Sequence, residues 1–394
     1  MTCRPARHPV PRPSWRSRHM PQTTAIDGTG PVLVRVVSDG TAGMRLQALA
    51  LAESLQRARP DWKCDEFTIT PHPLTRAMPR LAAWLPSMPL YGSTPPGRGT
   101  GRETGRATGG LAGGRAGVPG AASLSRRPHA GRYPDIMITC GRRMAGFALA
   151  MRRRARADGK PMQIVQLQDP RLPPAMFDAL VVPRHDRARG ANVLVTTGSL
   201  NRLTLDSIKS AMMALPSRWL TTTRHTAVAV MIGGENRRYR ITPEMEDGMA
   251  DRLARFAAGA KATLMIMASR RTPDGLVERL CANLPAGGAM LPQKGEPNVY
   301  PGVLGLAQAV IVTSDSVNMA SEAAITGKPV LIAPWQSATD TNPSGEAGRI
   351  RAFHDHMFAG SHTAPMAGTI PNGSFERLDE MAGLTEELLT LLRR

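Results

Sequence analysis

The sequence has few of the features that mark disulfide-linked, membrane-spanning or metal-dependent proteins. Its four cysteines are Cys3, Cys64, Cys140 and Cys281; none forms a CxxC pair or lies near a metal-spaced histidine. No apolar run approaches the roughly 20 residues that a membrane helix needs. The arginines near the start are not followed by the apolar segment of a secretory signal. These absences predict a soluble cytoplasmic protein with free thiols and no metal site.

Several motifs of common enzyme classes are also missing. The chain has no P-loop, no GxSxG and no HExxH pattern, so the signatures of kinases, esterases and zinc proteases are absent. The glycine loop after the first predicted strand is not GxGxxG, and no acidic residue stands at the distance that a nicotinamide site requires. We therefore expect no cofactor.

Positive charge is concentrated in two stretches of low apolar content. The formal net charge is +19; residues 1–20 carry five arginines and no acid, and residues 93–132 carry seven arginines against one glutamate. Segments so rich in Gly or Pro cannot bury a core. We expect a disordered basic tail at 1–30 and a disordered Gly/Arg-rich insertion at 93–132, and no specific nucleic-acid partner. The insertion and the cluster Arg152 to Arg154 leave open a peripheral contact with anionic lipid at the inner membrane.

The rest of the chain reads as two consecutive series of strands and helices. A length of 394 residues with 42% apolar residues suits two domains. Short apolar runs bounded by turn residues predict strands. In the first series these are Pro31 to Val37, Asp65 to Thr70, Asp135 to Thr139, Gln163 to Leu167, Ala179 to Val182 and Asn192 to Thr196. In the second they are Thr226 to Ile232, Ala262 to Ala268, Ala309 to Thr313 and Pro329 to Ile332.

Each series opens with a strand, a glycine loop and a helix, the first unit of a parallel sheet. The sequence thus predicts an α/β fold of two facing Rossmann-like domains with a ligand cleft between them. We expect an N-terminal domain over 31–215 and a nucleotide-binding domain over 216–345. Helices are expected over 346–394, the last of them, at about 378–392, packing on one domain or crossing back to the first. The sequence leaves the oligomeric state open.

The segment TSDSVNMASEAAITGKPV gives the strongest indication of a site. Its strand places Ser314, Asp315 and Ser316 at the carboxyl edge of the sheet, where ligands bind in open α/β folds. The helix that begins there has free N–H groups and a dipole that attract phosphate. Glu322 faces the cleft only if this helix enters at a suitable angle, and Gly327 is expected to end it in a left-handed conformation. The alternative is that Ser and Asp are ordinary helix caps and Glu322 is solvated.

Two further loops are expected at the same sheet edge. Gly233, Gly234 and Asn236 follow the first strand of this half, and glycines there let a backbone approach a diphosphate closely. Arg270 and Arg271 follow the next strand, and arginine forks suit phosphate oxygens. A simple turn and a capped helix with exposed arginines are the alternatives. Together with the Ser314–Ser316 loop, these residues suit a nucleoside diphosphate.

The first half supplies the candidate catalytic residues. Asp39 lies in the glycine loop SDGTAG after the first strand, and His185 follows the fifth. A histidine at a strand end can act as general acid or base, although one beside an aspartate is often structural.

Taken together, these stretches resemble a known family. They are SDGTAGMRLQALALAESL, ITCGRRMAGFALAMRR, QLQDPRLPPAMFDALVVPRHD, NVLVTTGSLNRL, MIGGENRRYRIT, ASRRTPDGL and NVYPGVLGLAQAVIVTSDSVNMASEAAITGKPV, in order over most of residues 32–335. The family is the elongated-mitochondria, or mitochondrial fission, family of plant and bacterial proteins. The chain departs from it at Met44 to Leu46, where a more polar stretch is expected after the glycine, and in the insertion.

The resemblance implies the fold of GT-B glycosyltransferases and of nucleoside-diphosphate-sugar epimerases. In those enzymes the C-terminal half holds the nucleotide sugar, and a glutamate placed like Glu322 binds the ribose. The expected function is a glycosyltransferase whose substrate is a nucleoside-diphosphate sugar. The alternatives are an epimerase of such a sugar, and a non-catalytic membrane-surface adaptor of the mitochondrial fission type. Fold likeness does not by itself establish chemistry.

Overall fold

The structure is a computed structural model that describes residues 31–70, 72, 78, 133–221, 226–235, 240–335 and 346–392. The predicted tail at 1–30 and the insertion at 93–132 lie outside these residues. In the described residues the strands form two parallel sheets of six strands each. Both are nearly continuous in apolar residues because helices cover both faces of a parallel sheet.

The N-terminal sheet has the strand order β2-β1-β3-β4-β5-β6. Its strands are β1 Leu33–Ser38, β2 Lys63–Thr68, β3 Ile136–Cys140, β4 Gln163–Leu167, β5 Ala179–Pro183 and β6 Val193–Thr196. The predicted start of β1 lies two residues before the observed one, and that of β2 lies two residues after it. Both predicted ends of β4 agree with the structure. Helix α1 Ala42–Ala58 follows β1, and helix α2 Arg142–Ala157 follows β3. Both bury alanine and leucine or methionine faces against the sheet.

One charged pair lies inside this sheet. Arg35, the charged residue in the apolar run of β1, forms a two-pronged ion pair with Asp65 of β2 at 2.7 and 2.8 Å. Its guanidinium carbon lies 4.3 Å from the ring centre of Phe67. Since breaking a buried pair leaves a bare charge, the two residues pin the register of β1 and β2.

The C-terminal sheet has the order β12-β11-β10-β7-β8-β9. Its strands are β7 Thr226–Ile232, β8 Ala262–Ala268, β9 Ala289–Met290, β10 Ala309–Thr313, β11 Val330–Ala333 and β12 Ala364–Pro365. The helices are α3 Leu205–Met213 and α4 Ser217–Leu220 before the sheet, then α5 Pro243–Ala260, α6 Leu276–Cys281, α7 Tyr300–Leu306, α8 Val317–Ala324 and α9 Glu346–Ala359.

The short helix before β10, Tyr300–Leu306, has Pro301 in its first turn, where a missing N–H costs nothing. One sequence prediction needs correction in this half. The segment 346–394 was expected to be helical, yet it also contributes the edge strand β12, which pairs with β11.

The last helix, α10 Met381–Leu392, crosses back to the N-terminal domain. Its leucines join the apolar core beneath α1, and the Ser54 and Thr385 hydroxyls lie 2.8 Å apart. Just before it, the Glu380 carboxylate accepts the N–H groups of Thr197 and Gly198 in the interdomain linker, at 2.7 and 3.0 Å. The chain therefore passes between the domains twice, and the two crossings are bonded to each other.

Among the described residues, no helix is both long and apolar enough to cross a membrane. The described cysteines, Cys64, Cys140 and Cys281, are free thiols.

Candidate functional site

The carboxyl edges of the two sheets face each other across a cleft. Gln47 near the start of α1 places its amide nitrogen 3.4 Å from the Asn318 oxygen at the start of α8. Gln168, just past β4, reaches Gln47 at 3.4 Å. His185, past β5, meets the ring of Phe353 on α9 edge-on at 6.0 Å. The loops at the carboxyl ends of the two sheets therefore form opposite walls of one cleft.

Asp315 organises the wall formed by the C-terminal sheet. Its side chain is 2% exposed. It accepts the Gly234 N–H at 2.9 Å and the Thr313 hydroxyl at 2.7 Å. The Trp335 indole at 3.1 Å and the Arg271 guanidinium at 3.2 Å complete the set. A carboxylate with four donors is well compensated for its burial, and here it ties together the loops after β7, β8, β10 and β11.

Gly233 and Gly234 are glycines because protein atoms occupy the space that a side chain would need. A Cβ at Gly233 would collide with the Asp315 carboxylate, and one at Gly234 with the backbone of Arg271. The Gly233 N–H already donates to the Thr313 hydroxyl at 2.8 Å. The close approach predicted from this pair is thus made by Asp315, and contact of the glycines with a diphosphate stays a prediction.

The loop after β10 leads into helix α8 as expected. Ser316 is the N-cap, and its hydroxyl accepts the Met319 N–H at 3.3 Å. The Ser314 hydroxyl accepts the Trp335 N–H at 3.4 Å. Gly327 has the predicted left-handed conformation, with φ 66°, although the helix already ends at Ala324 and a turn separates the two.

Glu322 lies on α8 one turn beyond Asn318, so both occupy the helix face directed at the N-terminal domain. Its carboxylate accepts the Tyr300 hydroxyl at 2.5 Å. Burial raises the pKa of Glu322 from 4.5 to about 7, against the lowering effect of the Tyr300 hydrogen bond. Burial, together with the neighbouring Glu322, also raises the pKa of Tyr300. A carboxyl group that is partly ionised near pH 7 could, in this position, accept hydrogen bonds from the hydroxyl groups of a ligand.

The two arginines after β8 are placed differently. Arg271 is bonded to Asp315, whereas the Arg270 side chain is exposed and has no partner in the described part of the chain. Of the two arginines, Arg270 is therefore the one whose guanidinium group is fully available to bind a phosphate. Asn236, the remaining residue predicted for this wall, lies outside the described residues.

On the opposite wall, Asp39 is held in its loop. One carboxylate oxygen accepts the Thr41 N–H at 3.0 Å, and the other lies 3.7 Å from Arg143. Its side chain is 8% exposed. Its strand, β1, is separated from the strand of His185, β5, by β3 and β4. Three strand spacings are about 14 Å, so the two candidate catalytic residues do not form a pair.

His185 is one of two histidines at the cleft. Burial lowers its pKa, and the nearby Arg349 and His356 side chains lower it further, against the raising effect of Asp186. The ring is therefore neutral at pH 7, and its Nδ1 has no partner among the described residues. His354, which the sequence analysis did not select, places its Nε2 2.8 Å from the Ser314 carbonyl oxygen. Since a carbonyl only accepts, Nε2 carries the proton; burial also lowers the pKa of this ring.

Sequence reasoning thus missed His354, Phe353 and Tyr300. Nothing local marks them, because each acquires its place through a contact with a distant residue. The pattern NVYPG before β10 was within the quoted stretches, but its tyrosine drew no attention. Arg152, proposed as part of a basic surface cluster, is in fact paired with Asp178 at 2.9 Å.

A cavity of about 290 Å³ lies elsewhere, against the linker. It is lined by parts of α1, the linker, the end of α8 and residues 377–382. None of the residues predicted to bind ligand lines this cavity, so it is not part of the candidate site in the cleft. No group of His, Cys, Asp and Glu in the described ranges has the arrangement of a metal site.

Comparison with known proteins gives both a family and a fold. The family model described as mitochondrial fission ELM1 matches residues 42–392. The mitochondrial fission protein ELM1 of Arabidopsis thaliana is 28% identical over 265 residues, covering 60% of this chain and 61% of that protein. An uncharacterized protein of Rickettsia prowazekii is 27% identical over 235 residues, covering 50% and 64%. The chain thus matches less than two thirds of the length of either relative.

Among solved structures, the UDP-GlcNAc 2-epimerase of Methanocaldococcus jannaschii is similar with a TM-score of 0.50 and 10% identity. The match covers 91% of this chain and 99% of that one. At such low identity the likeness concerns the fold, which is GT-B-like with two Rossmann-like domains.

Proposed function

The chain belongs to the mitochondrial fission ELM1 family, and from the geometry of its cleft we propose that it is a glycosyltransferase that uses a nucleoside-diphosphate sugar. The observation that carries the proposal is the arrangement on α8. Ser316 caps this helix at the carboxyl edge of the sheet, and Glu322 lies one turn after Asn318, whose side chain contacts Gln47 of the other domain. Helix N–H groups suit phosphate, and a carboxylate suits the two hydroxyls of a ribose.

The distance along the helix fits this division of roles. Six residues of α-helix span about 9 Å, so a phosphate at the N-terminus of α8 and a ribose at Glu322 would bind about 9 Å apart along the helix axis. Arg270, whose guanidinium has no partner in the described residues, is then available for the second phosphate. Asp315 would act indirectly, since its four hydrogen bonds fix the loops that form the wall.

The opposite wall would supply the acid–base chemistry. A neutral His185 can accept a proton from an acceptor hydroxyl as that oxygen attacks the anomeric carbon of the sugar, whose bond to the diphosphate breaks and releases the nucleoside diphosphate. Three strand spacings, about 14 Å, separate Asp39 from His185, so Asp39 would not take part in this proton transfer. It would instead orient the acceptor or the Arg143 side chain.

Ligand binding tests the proposal directly. A ligand at a hundred times its Kd stabilises the folded protein by about 2.7 kcal/mol, which raises Tm by several degrees for domains of this size. We expect this rise with UDP and with UDP-sugars, and none with NAD as the control dinucleotide. If no nucleoside diphosphate or nucleotide sugar shifts Tm, the proposal is wrong.

Incubation with the donor alone separates a transferase from an epimerase. An epimerase converts a nucleotide sugar without an acceptor, whereas a transferase leaves it intact apart from slow hydrolysis. Recovery of an isomerised donor sugar would therefore replace the leading proposal with the epimerase alternative.

The family name and the basic sequence favour one non-enzymatic alternative, an adaptor at an anionic membrane surface. Arg152 cannot serve it because Asp178 holds its guanidinium, which leaves Arg153, Arg154 and the insertion 93–132. Sedimentation with anionic liposomes at low and high salt, with and without residues 93–132, measures this contact. Equal sedimentation after the deletion would exclude the insertion as the contact.

A further inference from the structure

Arginines lie just past two neighbouring strands of the N-terminal sheet and on the helix opposite them. Arg142 is the first residue of α2, next to the end of β3. Arg171 lies in the loop after β4, which is the neighbour of β3 in the sheet. Arg349 belongs to α9 of the other domain, one turn before Phe353, whose ring touches His185. We call Arg142 and Arg171 the cleft arginines.

Arg142 and Arg171 lie near each other because they follow neighbouring strands, β3 and β4. Burial lowers the pKa of Arg142, and the positive charges of Arg171 and Arg349 lower it further, partly offset by Asp169 and Asp186. Within the described ranges, the guanidinium groups of Arg142 and Arg171 have neither a hydrogen bond nor an ion pair. Two neighbouring cations whose guanidinium groups have no hydrogen-bonded anion are stabilised when an anion binds between them.

The nearby carboxylates are committed to the loops themselves. Asp169 accepts the Arg171 N–H at 2.7 Å, and Asp186 accepts the Asp169 N–H at 3.2 Å. Arg143, next in sequence to Arg142, lies 3.7 Å from Asp39. The nearby carboxylates therefore hold the loops in place. In the described residues, the guanidinium groups of Arg142 and Arg171 are left without a hydrogen-bond partner.

From this arrangement we propose that the cleft arginines form a phosphate-binding site separate from the nucleotide site on α8. Resting on the proposed glycosyl transfer, the inference is that the acceptor carries a phosphate or diphosphate group. The reason is their position on the N-terminal wall of the cleft. This wall also holds His185, the proposed base for the acceptor hydroxyl. The residues proposed to bind the donor nucleotide lie on the C-terminal wall: Ser316, Arg270 and Glu322.

The test compares pyrophosphate and UDP as calorimetric titrants of the full chain at one fixed salt concentration. The variant is Arg142→Gln/Arg171→Gln. Its matched control is Arg154→Gln/Arg156→Gln, which removes the same charge from exposed positions on α2 about 20 Å along the helix. Tm of each variant is measured first, and only variants that melt as the wild type does are titrated.

We expect wild-type protein to bind pyrophosphate even when saturated with UDP. The cleft variant should lose at least tenfold in pyrophosphate affinity, the loss of one charge-assisted hydrogen bond, and less than threefold in UDP affinity. The control should match the wild type for both. If the cleft variant loses UDP affinity by the same factor, the arginines hold the donor's own diphosphate and the inference is wrong.

Two other results overturn the inference. One is an absence of pyrophosphate binding to the wild type at millimolar concentration. The other is an equal loss in the control, which would mean attraction by net charge alone. Failure of the proposed function looks different, because the wild type would then bind pyrophosphate through Arg142 and Arg171 but would not bind UDP.

Discussion

Replacing Glu322 with glutamine separates a binding role of this carboxyl group from a structural one. The change keeps the side chain's shape and an oxygen that accepts the Tyr300 hydroxyl, but removes the charge. Burial raises the pKa of Glu322 from 4.5 to about 7. A rise of that size corresponds to about 3 kcal/mol of unfavourable free energy for the ionised form in the folded protein.

The sign of the pH dependence follows from the direction of this change. Between pH 4.5 and 7 the folded protein holds a proton at Glu322 that the unfolded chain has released. The free energy of unfolding contributed by this group therefore falls as pH rises across that window, by about 3 kcal/mol at most, and is constant above it. Glu322→Gln should match the wild type at pH 4.5 and exceed its stability at pH 8. Urea unfolding at a series of pH values measures the difference, with Glu386→Gln on the exposed face of α10 as the control.

Nucleotide affinity should change in the opposite direction to stability. Ribose hydroxyls donate to the ionised carboxylate, so the wild type should bind a UDP-sugar more tightly as pH rises through about 7. Glu322→Gln should bind it ten- to a hundredfold more weakly at pH 8, a loss of about 1.5–3 kcal/mol, and without this pH dependence. If the variant is less stable at every pH and its affinity is unchanged, Glu322 is a structural helix residue and the site assignment is wrong.

Three further changes have distinct expected outcomes. Ser316→Ala removes a helix cap, so it should lower the free energy of unfolding by about 1 kcal/mol and weaken the binding of UDP but not of uridine. The control Thr242→Ala removes the cap of α5 and should lower stability without changing ligand binding. Calorimetric titration with UDP and with uridine measures the difference. Gly233→Ala should destabilise the protein by about 2 kcal/mol or more, since the new Cβ would displace the buried Asp315 carboxylate. The control Gly248→Ala lies on α5 with open space around it and should stabilise the protein slightly. Thermal melts compare the two variants. Arg152→Ala should cost about 2 kcal/mol in urea unfolding because it strands a partly buried carboxylate, and should leave liposome sedimentation unchanged.

The strands could be predicted from sequence because their signal is local. β4, β7 and β8 are apolar runs bounded by turn residues, and their limits were predicted residue for residue. The cap at Ser316 and the left-handed Gly327 were also predictable, since each depends on its own few residues. The placement of three loops at one edge followed from the rule that parallel strands end together.

The contacts that make the site could not be predicted in the same way. Asp315 meets Gly234 and Trp335 only because β10 lies between β7 and β11 in the sheet, and strand order is not written in any local pattern. His354 reaches Ser314 across 40 residues of chain. The glycines after β7 were interpreted as room for a ligand, whereas long-range packing fills that room with a side chain.

The return of α10 to the first domain has a consequence for synthesis. The N-terminal sheet and its helices leave the ribosome long before α10, yet the core beneath α1 is incomplete until leucines from 384–392 arrive. During translation the early domain must therefore wait with an apolar groove uncovered while the whole second domain is made. Such a waiting surface is what chaperones bind and what drives misassembly of nascent chains. Truncation inside α10 would thus harm the half of the protein that was translated first.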